Sequence, residues 1–365
     1  MSGLQALHYL GPHFLPDDFV AVAGLTALTS LSCNCWLDGV VAPFHSLSSL
    51  SQLRMLDLIA QGLRPGEQLP DSLAALSKLE TLAVSAGFSS EPDTHAYVRL
   101  PWKWCRAAAQ LSCLHLLSVD LPQLAGTAAS NDSCNFPALS ELNVWQPVEP
   151  LSTSALVCCQ SVKVLRIDCA DLGGAGLGGV FALLTNLESL DLRLCDLPPA
   201  DEEEPPSQLL SRLTALTGLT LYLYDGEVHP SAFAQLPALR RVEVDRAGWP
   251  GSVAAALRQS TRLTSLVLDH CPLLRISKGE LPLLLALPLR AIKVNKNPFG
   301  IMASADVPSP LWDEDSLWVV NELRHELWRR RRPSSKPAEW VNCDICTEEW
   351  EREEWGSEEG DDSDE

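Results

Sequence analysis

One hydrophobic register punctuates most of the chain: apolar-x-x-apolar-x-x-apolar-x-apolar. It occurs at Leu25-Leu28-Leu31-Cys33, Leu50-Leu53-Leu56-Leu58, Leu76-Leu79-Leu82-Val84 and Leu111-Leu114-Leu117-Val119. It continues at Phe136-Leu139-Leu142-Val144, Cys159-Val162-Leu165-Ile167, Leu184-Leu187-Leu190-Leu192 and Leu213-Leu216-Leu219-Leu221. The last copies are Leu236-Leu239-Val242-Val244, Ser260-Leu263-Leu266-Leu268 and Ala286-Leu289-Ile292-Val294, and Leu4-Leu7-Leu10 fits an earlier one. From Leu31 the third position recurs at intervals of 25, 26, 35, 25, 23, 25, 29, 23, 24 and 26 residues. Such self-similarity marks a repeat array rather than separate globular domains. In each unit the last apolar pair alternates with other residues, the period of a strand buried on one face. Between strands, Pro70 to Leu76 and Gly251 to Leu257 carry the cap residues and spacing of short helices. A lone unit buries too little apolar surface to offset the entropy of ordering it, so neighbouring units must cover each other's leucine faces.

Eleven agreeing registers over about residues 4–300 resemble the leucine-rich repeat family, whose units run roughly 20–29 residues. The resemblance implies an α/β fold: a horseshoe-shaped solenoid with a parallel β-sheet on its concave face. It also implies a scaffold or adaptor of intracellular type that binds a protein partner and performs no catalysis. One feature departs from the family. The Asn/Cys position after the strand is kept only at Cys195, Cys271 and Asn297; elsewhere other residues stand there, Trp36, Gln61, Pro122 and Tyr224 among them.

With the leucines turned inward, the residues alternating with them face the concave side. Those expected there are Thr81-Ala83-Ser85, Leu116-Ser118-Asp120, Glu141-Asn143-Trp145, Val164-Arg166-Asp168 and Ser189-Asp191-Arg193, followed by Gly218-Thr220-Tyr222, Arg241-Glu243-Asp245, Ser265-Val267-Asp269 and Ala291-Lys293-Asn295. Aromatic and arginine anchors amid mixed charge gather between residues 141 and 245. The candidate partner-binding residues are therefore Glu141, Asn143, Trp145, Arg166, Asp168, Asp191, Arg193, Tyr222, Arg241, Glu243 and Asp245. An open polar face of this length suits a protein better than a small substrate, which calls for a concave, mostly apolar pocket.

The register breaks in three places. The 35-residue interval holds Ser89 to Asp93 and Pro101-Trp102-Lys103-Trp104, and the 29-residue interval holds Pro198 to Pro206. Both are expected to be surface loops, with Trp102 and Trp104 a candidate partner-binding knob. After Pro298 the period stops. Asp313 to Arg332 has the pattern of one amphipathic helix, with a stripe of Leu317, Val320, Leu323 and Leu327 and with Trp318 and Trp328 beside it. Acids at its start and Arg329 to Arg332 at its end complement the helix dipole. The expected organisation is a repeat domain over 1–300, a capping helix within 301–332 and a disordered acidic tail over 333–365.

Composition sharpens this picture. Leucine supplies 65 of the 365 residues. The formal charge is −20, from 27 Lys+Arg against 47 Asp+Glu, but Asp344 to Glu365 alone holds 12 acids and one base. More than half the charge thus sits on the tail, and the repeats are only mildly acidic. Phosphate neutralisation needs a basic surface, so nucleic-acid binding is not expected. No run approaches the ~18 uninterrupted apolar residues of a membrane span. No basic-then-apolar leader follows Met1, which favours a cytoplasmic protein whose 12 cysteines stay reduced.

Several motifs compete with simpler explanations. Gly174 to Gly179 matches G-x-G-x-x-G, but its flanking strands fall on the repeat register, so no nucleotide is implied. Cys343-Asp344-Ile345-Cys346 resembles the opening of a RING finger, yet one C-x-x-C supplies half a structural zinc site and no Cys or His follows it. It motivates an alternative function as a ubiquitin-ligase component; a cytoskeletal or ciliary subunit is a further alternative. Arg329 to Arg332 is explained by its helix end before nuclear import. Trp340, Trp350 and Trp355 among the acids resemble an interaction tail. The eight histidines match no catalytic motif, and neither cofactor nor metal is expected.

Overall fold

A computed structural model of the chain describes residues 3–36, 42–61, 67–86, 98–99, 110–117, 119–120, 136–145, 159–168, 181–193, 210, 212–222, 233, 236–245, 252–269, 271, 276–295, 319, 322–323, 325–327 and 329. The repeat register becomes a twelve-stranded parallel sheet, with one strand per unit. Its strands are β1 (Ala6–Phe14), β2 (Ser30–Trp36), β3 (Met55–Gln61), β5 (Thr81–Ala86), β7 (Cys113–Leu117) and β9 (Glu141–Trp145). They continue as β10 (Val164–Asp168), β11 (Ser189–Arg193), β12 (Gly218–Tyr222), β13 (Arg241–Asp245), β14 (Ser265–Asp269) and β15 (Ala291–Asn295). They pair in chain order, as a solenoid requires. The expected early copy around Leu7 is real: Leu7 pairs with Leu31, and helix α1 (Pro16–Ala23) completes that unit.

Register between units is fixed by a repeated backbone device. The two residues that enter each strand both donate to one carbonyl of the preceding unit. Arg54 and Met55 bond Thr29 O at 2.8 and 3.0 Å, and Glu80 and Thr81 bond Arg54 O at 2.8 and 2.9 Å. The pattern runs unbroken to Arg290 and Ala291 on Thr264 O. Hydroxyls reinforce it where a Ser or Thr enters the strand, as in Ser140 Oγ to Ser112 O at 3.0 Å. Inside, Leu31, Leu56, Leu82, Leu142, Leu165 and Leu190 stack in one column with no solvent exposure. Phe14, Phe19 and Phe44 continue the core edge-to-face, with centroids 4.7 and 5.2 Å apart.

One unit departs from its expected phase. The sequence offers two overlapping frames, Leu111-Leu114-Leu116 and Leu114-Leu117-Val119. The first is the one used: Leu82 pairs with Leu114 and Val84 with Leu116. Ser112 and Cys113 make the entry bonds to Glu80 O, at 2.8 and 3.1 Å. The long interval is therefore 32 residues, from Leu82 to Leu114, and the next is 28, to Leu142. Cys113, His115 and Leu117 alternate with the buried leucines, in place of the expected Leu116, Ser118 and Asp120. Val119 and Asp120 instead form β8, in a second parallel sheet with β4 (Glu67–Gln68) and β6 (Val98–Arg99), ordered β4-β6-β8.

Both expected short helices form, as a 3-10 turn over Asp71–Ala75 and an α-helix over Val253–Leu257. Ser252 caps the latter, its Oγ accepting from Ala255 N at 3.0 Å. Glu280, 8% exposed, ties that helix to the next unit. Its carboxylate accepts from Ala254 N at 3.1 Å, from Ser277 N at 2.9 Å and from the Ser252 hydroxyl. At the C-terminal end, Val319, Leu323 and Leu327 are buried in the same core. Val319, Leu323 and Leu327 are each in helical backbone and make a buried i, i+4, i+8 stripe; Leu317 and Val320 lie outside the described residues. So do the tail after Arg329, the Gly174–Gly179 motif, the Trp102/Trp104 knob and the Cys343–Cys346 pair. The cysteines Cys33, Cys35, Cys113, Cys159 and Cys271 are all free thiols. Among the described residues no helix is long and apolar enough to cross a membrane.

Candidate functional site

Parallel in-register pairing turns a sequence pattern into a surface pattern. Asn143, Arg166, Asp191, Thr220 and Glu243 occupy the middle position of successive strands, and each pairs with the next. Trp145, Asp168, Arg193, Tyr222 and Asp245 form the row beside them. Where large residues flank small ones, a hollow of about 450 Å³ opens on this face. Ser189, Gly218 and Thr220 line it with little side-chain bulk, while Trp145, Arg166, Arg193 and Arg241 stand around them. Asp168, Asp191 and Glu243 also line it, so seven of the eleven expected residues share one concavity.

The charges are organised locally. Arg193 donates to Asp191 two residues earlier on its own strand, with Nε at 3.0 Å from Oδ1 and Nη2 at 2.9 Å from Oδ2. Asp191 is 7% exposed, so a largely covered carboxylate orients a half-exposed guanidinium. The hydrogen bonds to Asp191 and the charges of Asp191, Asp168 and Glu243 raise the Arg193 pKa above its ordinary value, against a smaller opposing effect of burial. Arg241 reaches Glu243 at 2.7 Å, also two residues along one strand. Arg166 instead crosses to the neighbouring strand and meets Glu141 at 3.1 Å. A bidentate pair holds a guanidinium's geometry without screening its outward edge, which suits it to recognition. Trp145 is 47% exposed, a large aromatic surface beside these pairs.

The remaining four expected residues sit differently. Tyr222 and Asp245 lie on the face beyond the hollow's lining. Glu141 supports Arg166. Asn143 is only 2% exposed and is covered by its neighbours, so it is a supporting residue rather than a presented one. Its contacts lead to residues that the expected phase of the fifth unit had hidden. Asn143 Nδ2 lies 2.5 Å from His115 Nδ1 and 3.1 Å from Glu141 Oε1. His115 Nε2 lies 2.8 Å from Cys113 Sγ. Burial, together with the charge of Glu141 and a hydrogen bond to it, pushes the Cys113 thiol up to about 11 despite the opposing Arg166. The signal was present in the sequence as Cys-x-His, but it emerges only in the correct frame.

Similarity to solved structures follows the architecture. The chain superposes on an internalin (inlF) from Listeria monocytogenes at 15% identity, covering 79% of this chain and 82% of that one, with a TM-score of 0.42. A leucine-rich-repeat protein of Leptospira interrogans matches at 16% identity over 80% and 79% of the two chains, with a TM-score of 0.42. Mouse RP105, in its complex with MD-1, matches at 15% identity with a TM-score of 0.50, over 89% of this chain and 46% of that one. The fold is a leucine-rich-repeat solenoid. No protein-family model matches the sequence, and no curated protein is significantly similar to it. Within the solenoid, Cys271 at the post-strand position is 2% exposed and donates to Val244 O of the preceding unit at 3.5 Å.

Proposed function

We propose that the protein is a non-catalytic scaffold that captures a protein partner on the concave face between Trp145 and Asp245. The observation that carries this reading is the hollow itself. It joins an exposed tryptophan to arginines oriented by carboxylates, the residue types in which binding energy concentrates. Arg193 is already held by Asp191, so docking a partner orders few side chains. The five carboxylates and three arginines among the candidate residues favour a partner segment of mixed charge with an apolar group to seat against Trp145. A cytoplasmic setting, with the described cysteines as thiols, fits the same proposal.

The test is quantitative affinity capture from source cells, comparing the native chain with a Trp145→Ala/Arg193→Glu variant. Loss of specific partners with an unchanged melting temperature supports the proposal; identical captured sets from both chains overturn it.

A further inference from the structure

We propose that Cys113, His115 and Glu141 form a zinc(II) site on the concave face, separate from the partner-binding hollow. Residues two apart on a strand share a face, so β7 presents Cys113 and His115 together. Parallel register sets Glu141 opposite Cys113 and Asn143 opposite His115. One ligand atom from each of Cys113, His115 and Glu141 lies within 4.8 Å of the other two. A thiol, an imidazole and a carboxylate are the three ligand types zinc takes from proteins, and three such ligands leave a fourth position for water or a partner's donor. Tetrahedral zinc would separate sulfur and nitrogen ligands by roughly 3.5 Å, so the present 2.8 Å contact opens by less than an ångström through side-chain torsions. On the side of β5 the neighbours are Thr81 and Ala83, which are small and uncharged.

Asn143 supplies the independent sign. It is almost fully buried against this cluster, and its Oδ1 is buried without a hydrogen-bond partner. A half-turn of the amide presents that oxygen to a protonated His115 Nδ1 and gives up the 3.1 Å bond to Glu141 Oε1, the carboxylate then turning from the amide to the metal. The amide-to-imidazole contact is the outer bond that leaves Nε2 free for a metal. Binding replaces the Cys113 S–H bond with a sulfur–zinc bond, and the proton passes to solvent. Arg166, paired with Glu141 at 3.1 Å, is the one described cation that competes with the metal for this carboxylate.

The experiment uses the full, reduced chain carrying Cys343→Ser and Cys346→Ser, so that the tail thiols do not contribute. Cobalt(II) is the spectroscopic probe, and zinc the competitor. One equivalent of cobalt is expected to give a thiolate-to-cobalt charge-transfer band that zinc removes. Cys113→Ser abolishes the band, Glu141→Gln weakens binding, and Asn143→Ala weakens it roughly 10–100-fold, the usual effect of an outer-shell partner. Each variant is checked by its cooperative melt. If Cys113→Ser fails to fold, Glu141→Gln decides the matter, because it keeps the shape and removes the charge. Absence of the band in the parent chain, or a band unchanged by whichever of these two variants folds, overturns the site. Either result leaves the partner-capture test untouched.

Discussion

The stretch of concave face on β7 and β9 and the stretch on β10 to β13 are built from the same strand geometry, yet they carry opposite chemistry. Over β10 to β13, arginines lean on carboxylates and remain half exposed, and small residues hold the surface open. Over β7 and β9, a thiol, an imidazole, a carboxylate and an amide close on one another, with the amide almost fully buried. Arg166 on β10 joins the two through Glu141. The solenoid thus supplies a lattice of equivalent positions, and function is written by which side chains stand at neighbouring lattice points. In the proposed roles, charged pairs that stay wet serve as a recognition surface, whereas soft and borderline donors packed together serve as a metal cradle.

The largest effect should come from removing what both regions share. Leu165, on the inward face of β10 where the two regions meet, is fully buried. Leu165→Ala is expected to cost about 2–5 kcal/mol in denaturant unfolding, and both partner capture and cobalt binding should decline together. Next comes a double dissociation. Trp145→Ala/Arg193→Glu should abolish partner capture and leave the cobalt band intact, while Cys113→Ser should do the reverse. If either variant removes both activities, the regions are not separate. A smaller effect is expected from Asp191→Asn, which keeps the shape but weakens the hold on Arg193. Partner affinity should drop by roughly 10–100-fold, in keeping with the ~1.5–3 kcal/mol of a hydrogen bond to a charged group, a smaller loss than that of the Trp145→Ala/Arg193→Glu variant.

The alkaline behaviour of the metal-free chain separates the regions further. The folded state raises the Cys113 thiol from an ordinary 9.0 to about 11. The folded state therefore keeps its proton where the unfolded chain has lost it. The associated stability is complete below pH 9 and is lost as pH rises through about 11. Comparing thermal melts of the native chain and Cys113→Ser across this window should show a shallower alkaline decline in the variant. The smallest effect belongs to the exposed Arg54–Glu80 pair on the strand entries. Glu80→Gln should change stability by less than about 1 kcal/mol, as for surface ion pairs in general.

The same comparison explains what the sequence disclosed. Most of the sheet was legible because the inward leucines repeat in register and each unit repeats its neighbour's burial. The hollow was legible for the same reason: once β9 to β13 are in phase, alternation alone assigns Trp145, Arg193 and Glu243 to one face. The cluster was not, because Leu111, Leu114, Leu116, Leu117 and Val119 satisfy two frames with equal apolar content. What distinguishes them is non-local: the carbonyl of Glu80 accepts from Ser112 and Cys113. The second sheet escaped notice because its strands are two residues long, too short for a period of two to register. At the C-terminal helix, Val319 and Val320 are adjacent apolar residues. Burial of Val319 with Leu323 and Leu327 follows the four-residue ridge.

The most direct measurement is oxidative footprinting of Trp145 in the complex captured from source cells. The indole is 47% exposed in the free chain, so its reactivity reports whether a partner covers the hollow. Trp145 oxidation should fall sharply in the complex, while exposed Tyr9 on the first strand reacts as before. Unchanged oxidation of Trp145 in a complex that protects other surfaces would contradict partner capture at the hollow.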